Sequence, residues 1–508
     1  MTDAPSAEAA AAPMPPAAAG RTLGGRDLLV QVLLYAPSSL IPAVLALAFT
    51  AVFTRRFSTS EFGHYSLAMS AASFLAAVGT QWLQQGVTRF LPGNRSVEDV
   101  ARLRGAAALG LVVVAALVVL LGAGAFAAAW LIGGAAWAAW VIPTTAAALA
   151  TAHFSALVAV LQAGMRAGRY SAYRLLEAGI RFGAALLLVL VLHQAAVSLV
   201  WAAVLSIAVL LPLLWRDAGL PSQRAVLAEA RRHLPALRKL ASYGLPMVGW
   251  YLAAMFLDVG DRYLIQFFRG SAEVGLYAAN YTLVYGAVGL LAAPMLLAAH
   301  PFLMRAWGEG HPAEAAAWLG RIAEWFIVMG VLLTGGVWLV ARDLTTIFLG
   351  PSFRAGWVIL TPVLGGLVAW QLGMYTHKPL EYAGRTRTMF LAAVGVAVTK
   401  MALNALLLPF FGYVAAAWTT LGAYVFYAAL TYRLGVRELR WRIDHRRIAW
   451  VVALTVVALA IGAGLGVYVE QRAGGPVAFV FRMVWAALLA GTVLQREWRF
   501  ARAPKVSG

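Results

Sequence analysis

The chain has 508 residues, 62% of them hydrophobic and only 12% charged, with a formal net charge of +19. A mean hydropathy of +0.77 excludes a soluble globular domain of this length and places the chain in a membrane. It contains no cysteine, so disulfides and thiolate chemistry are excluded.

Residues 2–20 are rich in alanine and proline and predict a disordered tail, with residues 1–27 preceding the first span. No short apolar core with a cleavage site precedes Arg21, so a removable signal peptide is not expected. A spanning helix needs roughly 20 mostly apolar residues. Windows of that size fall near 29–53, 65–88, 105–130, 137–162, 171–192, 195–215, 242–267, 275–304, 319–340, 356–379, 388–409, 412–432, 447–469 and 477–494. The expected fold class is therefore an all-α polytopic membrane protein with about fourteen transmembrane helices. Only Gly133-Gly134 interrupts the nearly continuous apolar run of the third and fourth spans. Uninterrupted runs of this length exclude a closed β-barrel.

Two basic segments, 216–241 and 433–447, punctuate the series into six, six and two helices. The expected organisation is an N-lobe at 28–215, a basic linker at 216–241, a C-lobe at 242–433, a C-terminal helix pair at 434–495 and a tail at 496–508. With the N-terminus placed in the cytoplasm, alternation puts roughly 30 of the basic residues on inside loops and only about 8 outside. Both termini are thus expected to be cytoplasmic, and the net charge is read as topology rather than as affinity for nucleic acid. Ala225 to Leu240 has the composition of an amphipathic helix for the anionic inner leaflet.

One phrase occurs twice. Arg56-Phe57-Ser58-Thr59-Ser60-Glu61-Phe62-Gly63-His64-Tyr65 is echoed about 212 residues later by Phe268-Arg269-Gly270-Ser271-Ala272-Glu273-Val274-Gly275-Leu276-Tyr277. Both copies carry Glu-x-Gly-x-Tyr, and Phe90-Leu91 and Phe302-Leu303 recur at the same offset. A long repeat in a membrane protein predicts two helical lobes with a site at their interface.

Several chemistries are absent from the sequence. No Gly-Lys pair exists to build a nucleotide-cradling loop. The eight histidines lack metal-ligand spacing, so neither a metal nor another cofactor is expected. No acidic cluster suits a metal-nucleotide, and transport rather than covalent chemistry is expected.

The phrase at Arg55–Tyr65, Ser242-Tyr243-Gly244-Leu245-Pro246, Asp261-Arg262 and Glu273-x-Gly275-x-Tyr277 together resemble the polysaccharide-transporter branch of the multidrug/oligosaccharidyl-lipid/polysaccharide flippase superfamily, over about residues 28–495. The resemblance implies a non-enzymatic flippase of the bacterial cytoplasmic membrane. Such a protein turns a polyprenyl-pyrophosphate-linked oligosaccharide outward for cell-surface polysaccharides such as O-antigen. It also implies a central cavity between two six-helix lobes, an extra helix pair, and partners among membrane lipids and other polysaccharide-assembly proteins. Without a nucleotide motif, energy is expected from a proton or sodium gradient or from consumption of the flipped lipid.

A cavity for such a cargo needs cations and amides, and ionisable residues within spans tend to face cavities. Lys400 with Asn404, Arg181, Arg89 and Gln85 are the candidate cargo contacts. Lys400 is the strongest, because a mid-span lysine with no acid in its own helix costs about 2.5–3.5 kcal/mol to insert. Glu177, Asp258 and Asp261 are the candidate ion carriers. Blander roles stand beside these. Glu177 and Arg181 can form an i, i+4 pair, Asp261-Arg262 can tie a loop to a helix near the outer surface, the glutamines can stitch helices together, and His153 suits a packing role. Competing functions are a peptidoglycan lipid-precursor flippase, a multidrug antiporter of the same superfamily, and a membrane saccharide polymerase or ligase. The last lacks the large outer loop it would need.

Overall fold

The computed structural model describes residues 40–92, 96–308 and 310–502; the expected N-terminal tail, the start of the first span and residues 503–508 lie outside them. Among the described residues the chain is helical throughout, with no strand. The long helices, in chain order, are α1 (Leu40–Phe53), α2 (Thr59–Phe90), α3 (Val97–Leu131), α4 (Trp137–Ala163), α5 (Ala167–Leu186), α6 (Ser198–Ala218) and α7 (Ala230–Arg269). They continue as α8 (Ser271–Gly308), α9 (Pro312–Phe348), α10 (Leu360–Thr376), α11 (Thr386–Phe411), α12 (Tyr413–Gly435), α13 (His445–Ala473) and α14 (Gly475–Arg502). Among the described residues nine helices are long and apolar enough to cross a membrane, or ten if the two bent halves of α7 count as one span. The remaining long helices are shorter or more polar than that standard. The protein is a multi-pass membrane protein.

The helix boundaries follow local chemistry. α2 starts at a capping box: Ser58 accepts from the Glu61 backbone, and the Glu61 carboxylate accepts from the Ser58 N–H at 2.9 Å. α3 and α4 part at Gly134, whose φ of +69° a side chain would resist, at the double glycine that the sequence singled out. α5 ends in a π-turn at Leu187–Val191.

α2 is the central pillar, in contact with α3, α7 and α8. Its buried faces carry Gly63, Ser66, Ala68, Ser70, Ala72, Ala76, Ala77, Gly79 and Thr80. Small residues let helices approach closely where no hydrophobic drive exists between them. The α3–α4 pair packs on α6, and α5 on α6, to complete one group. In the other group α10 packs on α9 and α12, and α11 packs on α7 and α12. α13 and α14 pack on each other and on α9.

The linker is largely helical. α7 begins at Ala230, and its first arm meets the second, Val248–Arg269, at a bend of 54°. Val226 and Leu240 are fully buried in the same apolar cluster as Leu83, Leu157 and Leu214. The segment is therefore packed against the N-lobe, because its apolar residues find a helical groove to fill.

A polar cavity between the two lobes

The two copies of the repeated phrase meet at one end of the bundle, here termed the repeat end. Ser60 and Ser271 share a hydrogen bond of 2.6 Å. A methyl group on Gly63 would lie 1.9 Å from the Ser271 carbonyl oxygen, and one on Gly275 would lie 1.9 Å from that of Thr59. α1 joins the second lobe at the same end. The Thr54 hydroxyl accepts from the Gly350 N–H at 3.0 Å, and Arg55 donates to the carbonyls of Ile347 at 2.6 Å and Phe348 at 3.1 Å.

These contacts roof a cavity of about 300 Å³. It is lined from the N-lobe by Phe49 and Thr50 of α1, Tyr65, Ser66, Met69 and Ser73 of α2, and Arg181 of α5. The C-lobe contributes Asp258 and Arg262 of α7 and Thr282 of α8. Each lobe thus offers an acid followed by an arginine four residues on, which places both on one helical face. In the N-lobe Arg181 stands 3.6 Å from Glu177, a loose contact that leaves the guanidinium free to turn to a ligand. In the C-lobe Asp258 accepts a hydrogen bond from the Tyr281 hydroxyl. Arg262 reaches across the lobe boundary to donate to the Ser70 hydroxyl at 2.6 Å, and it stacks on Tyr281. Its Nε is buried without a partner. Among the described residues Arg262 has no carboxylate within ion-pair distance.

Arg181 and Asp258, both expected at the cavity, line it, and Glu177 stands behind Arg181. Arg262, weighed from the sequence both for a cavity and as a tie between loop and helix, lines it too. The i, i+4 spacing of Asp258 and Arg262, matching Glu177 and Arg181, was the available signal.

The structure corrects the placement of Lys400. It is wholly buried inside the C-lobe, donating to Asp261 at 2.8 Å, rather than lining the lumen. The acid that compensates it comes from α7, a different helix, so scanning α11 alone could not find it. Asp261 lies in the lobe interior rather than near a surface, and its carboxylate also accepts from Tyr277 at 3.0 Å, Asn404 at 2.7 Å and Thr420 at 2.9 Å. Four donors thus converge on its two oxygens. Asn404 therefore serves this network and not the cavity. Arg89 is also elsewhere, exposed at the far end of α2 over the Tyr243 ring, and Gln85 is half-buried outside the cavity lining. His153 is buried with its Nδ1 2.8 Å from the Leu149 carbonyl. Among the described residues no group of acids and histidines is placed to hold a metal ion.

Residues 28–307 match the sequence profile of the polysaccharide biosynthesis protein family, more than half of the chain. The chain belongs to this family. No curated protein sequence matches it. Solved structures show the fold: the lipid II flippase MurJ in an inward closed conformation superimposes with a TM-score of 0.66 at 13% identity, covering 92% of this chain and 99% of that one. An inward-facing multidrug resistance MATE family transporter of the MOP superfamily gives 0.58 at 13% identity, covering 84% and 98%. A mutant of the Vibrio cholerae MATE transporter VcmN gives 0.52 at 14%, covering 82% and 98%. This family member thus has the fold of those flippase and transporter structures.

Proposed function

We propose that the protein is a flippase for polyprenyl-pyrophosphate-linked oligosaccharide in the bacterial cytoplasmic membrane, working by alternating access. The carrying observation is that Arg181 and Arg262 face one cavity from opposite lobes, and that among the described residues Arg262 has no carboxylate within ion-pair distance. A pyrophosphate bridging them would draw the lobes together, and each charge-assisted hydrogen bond contributes about 1.5–3 kcal/mol. A cavity of about 300 Å³ holds a pyrophosphate but not an oligosaccharide, so loading requires the lobes to part at the end opposite the repeat. The arginines recognise charge shared by all lipid pyrophosphates, which keeps a peptidoglycan lipid precursor as the second reading, one favoured by the MurJ-like fold. A multidrug antiporter for cations is disfavoured by two arginines in the cavity.

Asp258 is the acid in the cavity wall and the proposed carrier of a coupling proton or sodium ion; Glu177 and Asp261 are not part of the cavity lining, and Asp261 is paired with Lys400. The test is a proteoliposome assay with a fluorescent polyprenyl-pyrophosphate oligosaccharide and no nucleotide. Two results together support the reading: translocation is lost in Arg262→Ala, and the unaltered protein fails to move a lipid-linked sugar that lacks the pyrophosphate. Equal translocation by the unaltered protein and the Arg181→Ala/Arg262→Ala double variant refutes it.

A further inference from the structure

At the opposite end of the N-lobe lies a second recess of about 750 Å³, remote in sequence and lining from the interlobe cavity. Its walls are the first turns of α3, the turn at Gly219–Pro221 after α6, and linker residues through His233. Four basic side chains and two acids line it. Both acids are occupied within their own segments: Glu98 pairs with Arg102 at 2.5 Å and Glu229 with Arg232 at 3.2 Å. Arg104 and His233 are left over.

Arg104 has no ion pair among the described residues, and its Nε is buried without a partner. Its guanidinium lies over the bare α-carbon of Gly219, where a methyl group would come within 3.0 Å of Nη1. Arg166 is a like-charged neighbour that adds to the positive field. His233 is only 8% exposed, and its Nδ1 likewise lacks a partner. The ring fits because position 105 is glycine; a methyl group there would lie 2.1 Å from its Cε1. The N-terminal turn of α3, where the Ser96 hydroxyl caps the Asp99 N–H, adds the positive end of a long helix dipole. An arginine with no ion pair among the described residues and an imidazole, lining one recess beside a helix N-terminus, are complementary to a multi-oxygen anion.

We propose that this recess is a phosphate-binding site, taking either free phosphate or the phosphodiester headgroup of a membrane lipid. Its occupant would bind α3 on one side and His233, on the first turn of α7, on the other. It would thereby fasten the linker arm to the N-lobe. The proposal is independent of the cargo, since it concerns binding alone.

The test uses the full-length protein in nanodiscs. One arm has phosphatidylcholine only, with inorganic phosphate titrated in; the other has one third phosphatidylglycerol and no added phosphate. The readouts are the thermal unfolding midpoint and the phospholipid retained in native mass spectrometry. Saturable stabilisation in either arm, weakened at least tenfold in Arg104→Gln and less than threefold in Arg102→Gln, supports the site, and the responding arm identifies the source. His233→Asn is the second variant, expected to weaken binding in the same arm should Arg104→Gln not fold. No stabilisation in either arm, or equal loss in Arg102→Gln and in the Arg104 or His233 variant, overturns it.

Discussion

Gly63 and Gly275 hold equivalent places in the two copies of the repeated phrase, and each rests its bare α-carbon on a carbonyl oxygen of the other copy, Ser271 for the first and Thr59 for the second. The contact is reciprocal, as a pseudo-two-fold axis between lobes requires. It makes the repeated glycines the closure of the repeat end in this conformation.

A methyl group at either glycine must push backbone away from backbone, since no flexible side chain can yield. Overpacking of this kind costs about 1–3 kcal/mol, all of it in the closed form. The natural chain has no cysteine, so Ser60→Cys/Ser271→Cys reports closure directly by disulfide yield. Gly63→Ala in that background is expected to slow disulfide formation about tenfold or more, while Gly289→Ala, where nothing lies within 4 Å, should not. Unchanged disulfide formation in Gly63→Ala would remove the glycines from the closing surface.

Arg262 is expected to matter more to cargo than Arg181, because Arg181 has Glu177 within ion-pair distance and, among the described residues, Arg262 has no carboxylate that close. Loss of a charge-assisted hydrogen bond of about 1.5–3 kcal/mol predicts a ten- to hundredfold fall in cargo affinity for Arg262→Ala. Arg262→Lys should recover part of it, keeping the charge without the fork. Equilibrium binding of the lipid pyrophosphate to purified protein measures both.

Lys400 and Asp261 should govern stability rather than cargo. Removing one member of a buried pair strands the other, at a cost of about 3–5 kcal/mol. Lys400→Met is expected to lower the unfolding midpoint sharply, and Lys400→Met/Asp261→Asn to restore much of the loss. Cargo affinity per folded molecule should stay within about twofold, because neither side chain lines the cavity. A selective loss of affinity in the folded Lys400→Met protein would return Lys400 to the binding site.

The cation distribution predicts that the repeat end faces outward and the linker inward. Arg56→Cys should react with an impermeant thiol reagent added to intact cells, and Arg224→Cys only after the inner face is opened; both positions are exposed. The reverse pattern would invert the orientation and the direction of transport with it.

The sequence alone determined the helical class, the double-glycine break at Gly134 and the two-lobe repeat. Each rests on features local in the chain: apolar runs long enough to span, a residue that tolerates positive φ, and a phrase repeated at fixed distance. It also drew attention to Arg181 and Asp258, because ionisable groups inside apolar spans are costly without a purpose. Only the tertiary structure decided what each charge faces. Asp261 and Arg262 are neighbours in sequence, yet one turns into the C-lobe to meet Lys400 and the other crosses to Ser70. Adjacent helical residues point about 100° apart, so whether a charge meets a cavity or a counter-charge depends on which helix stands on that side. Pairing between α7 and α11, and the seating of the linker on the N-lobe, are properties of packing between distant segments, and no spacing within one segment encodes them.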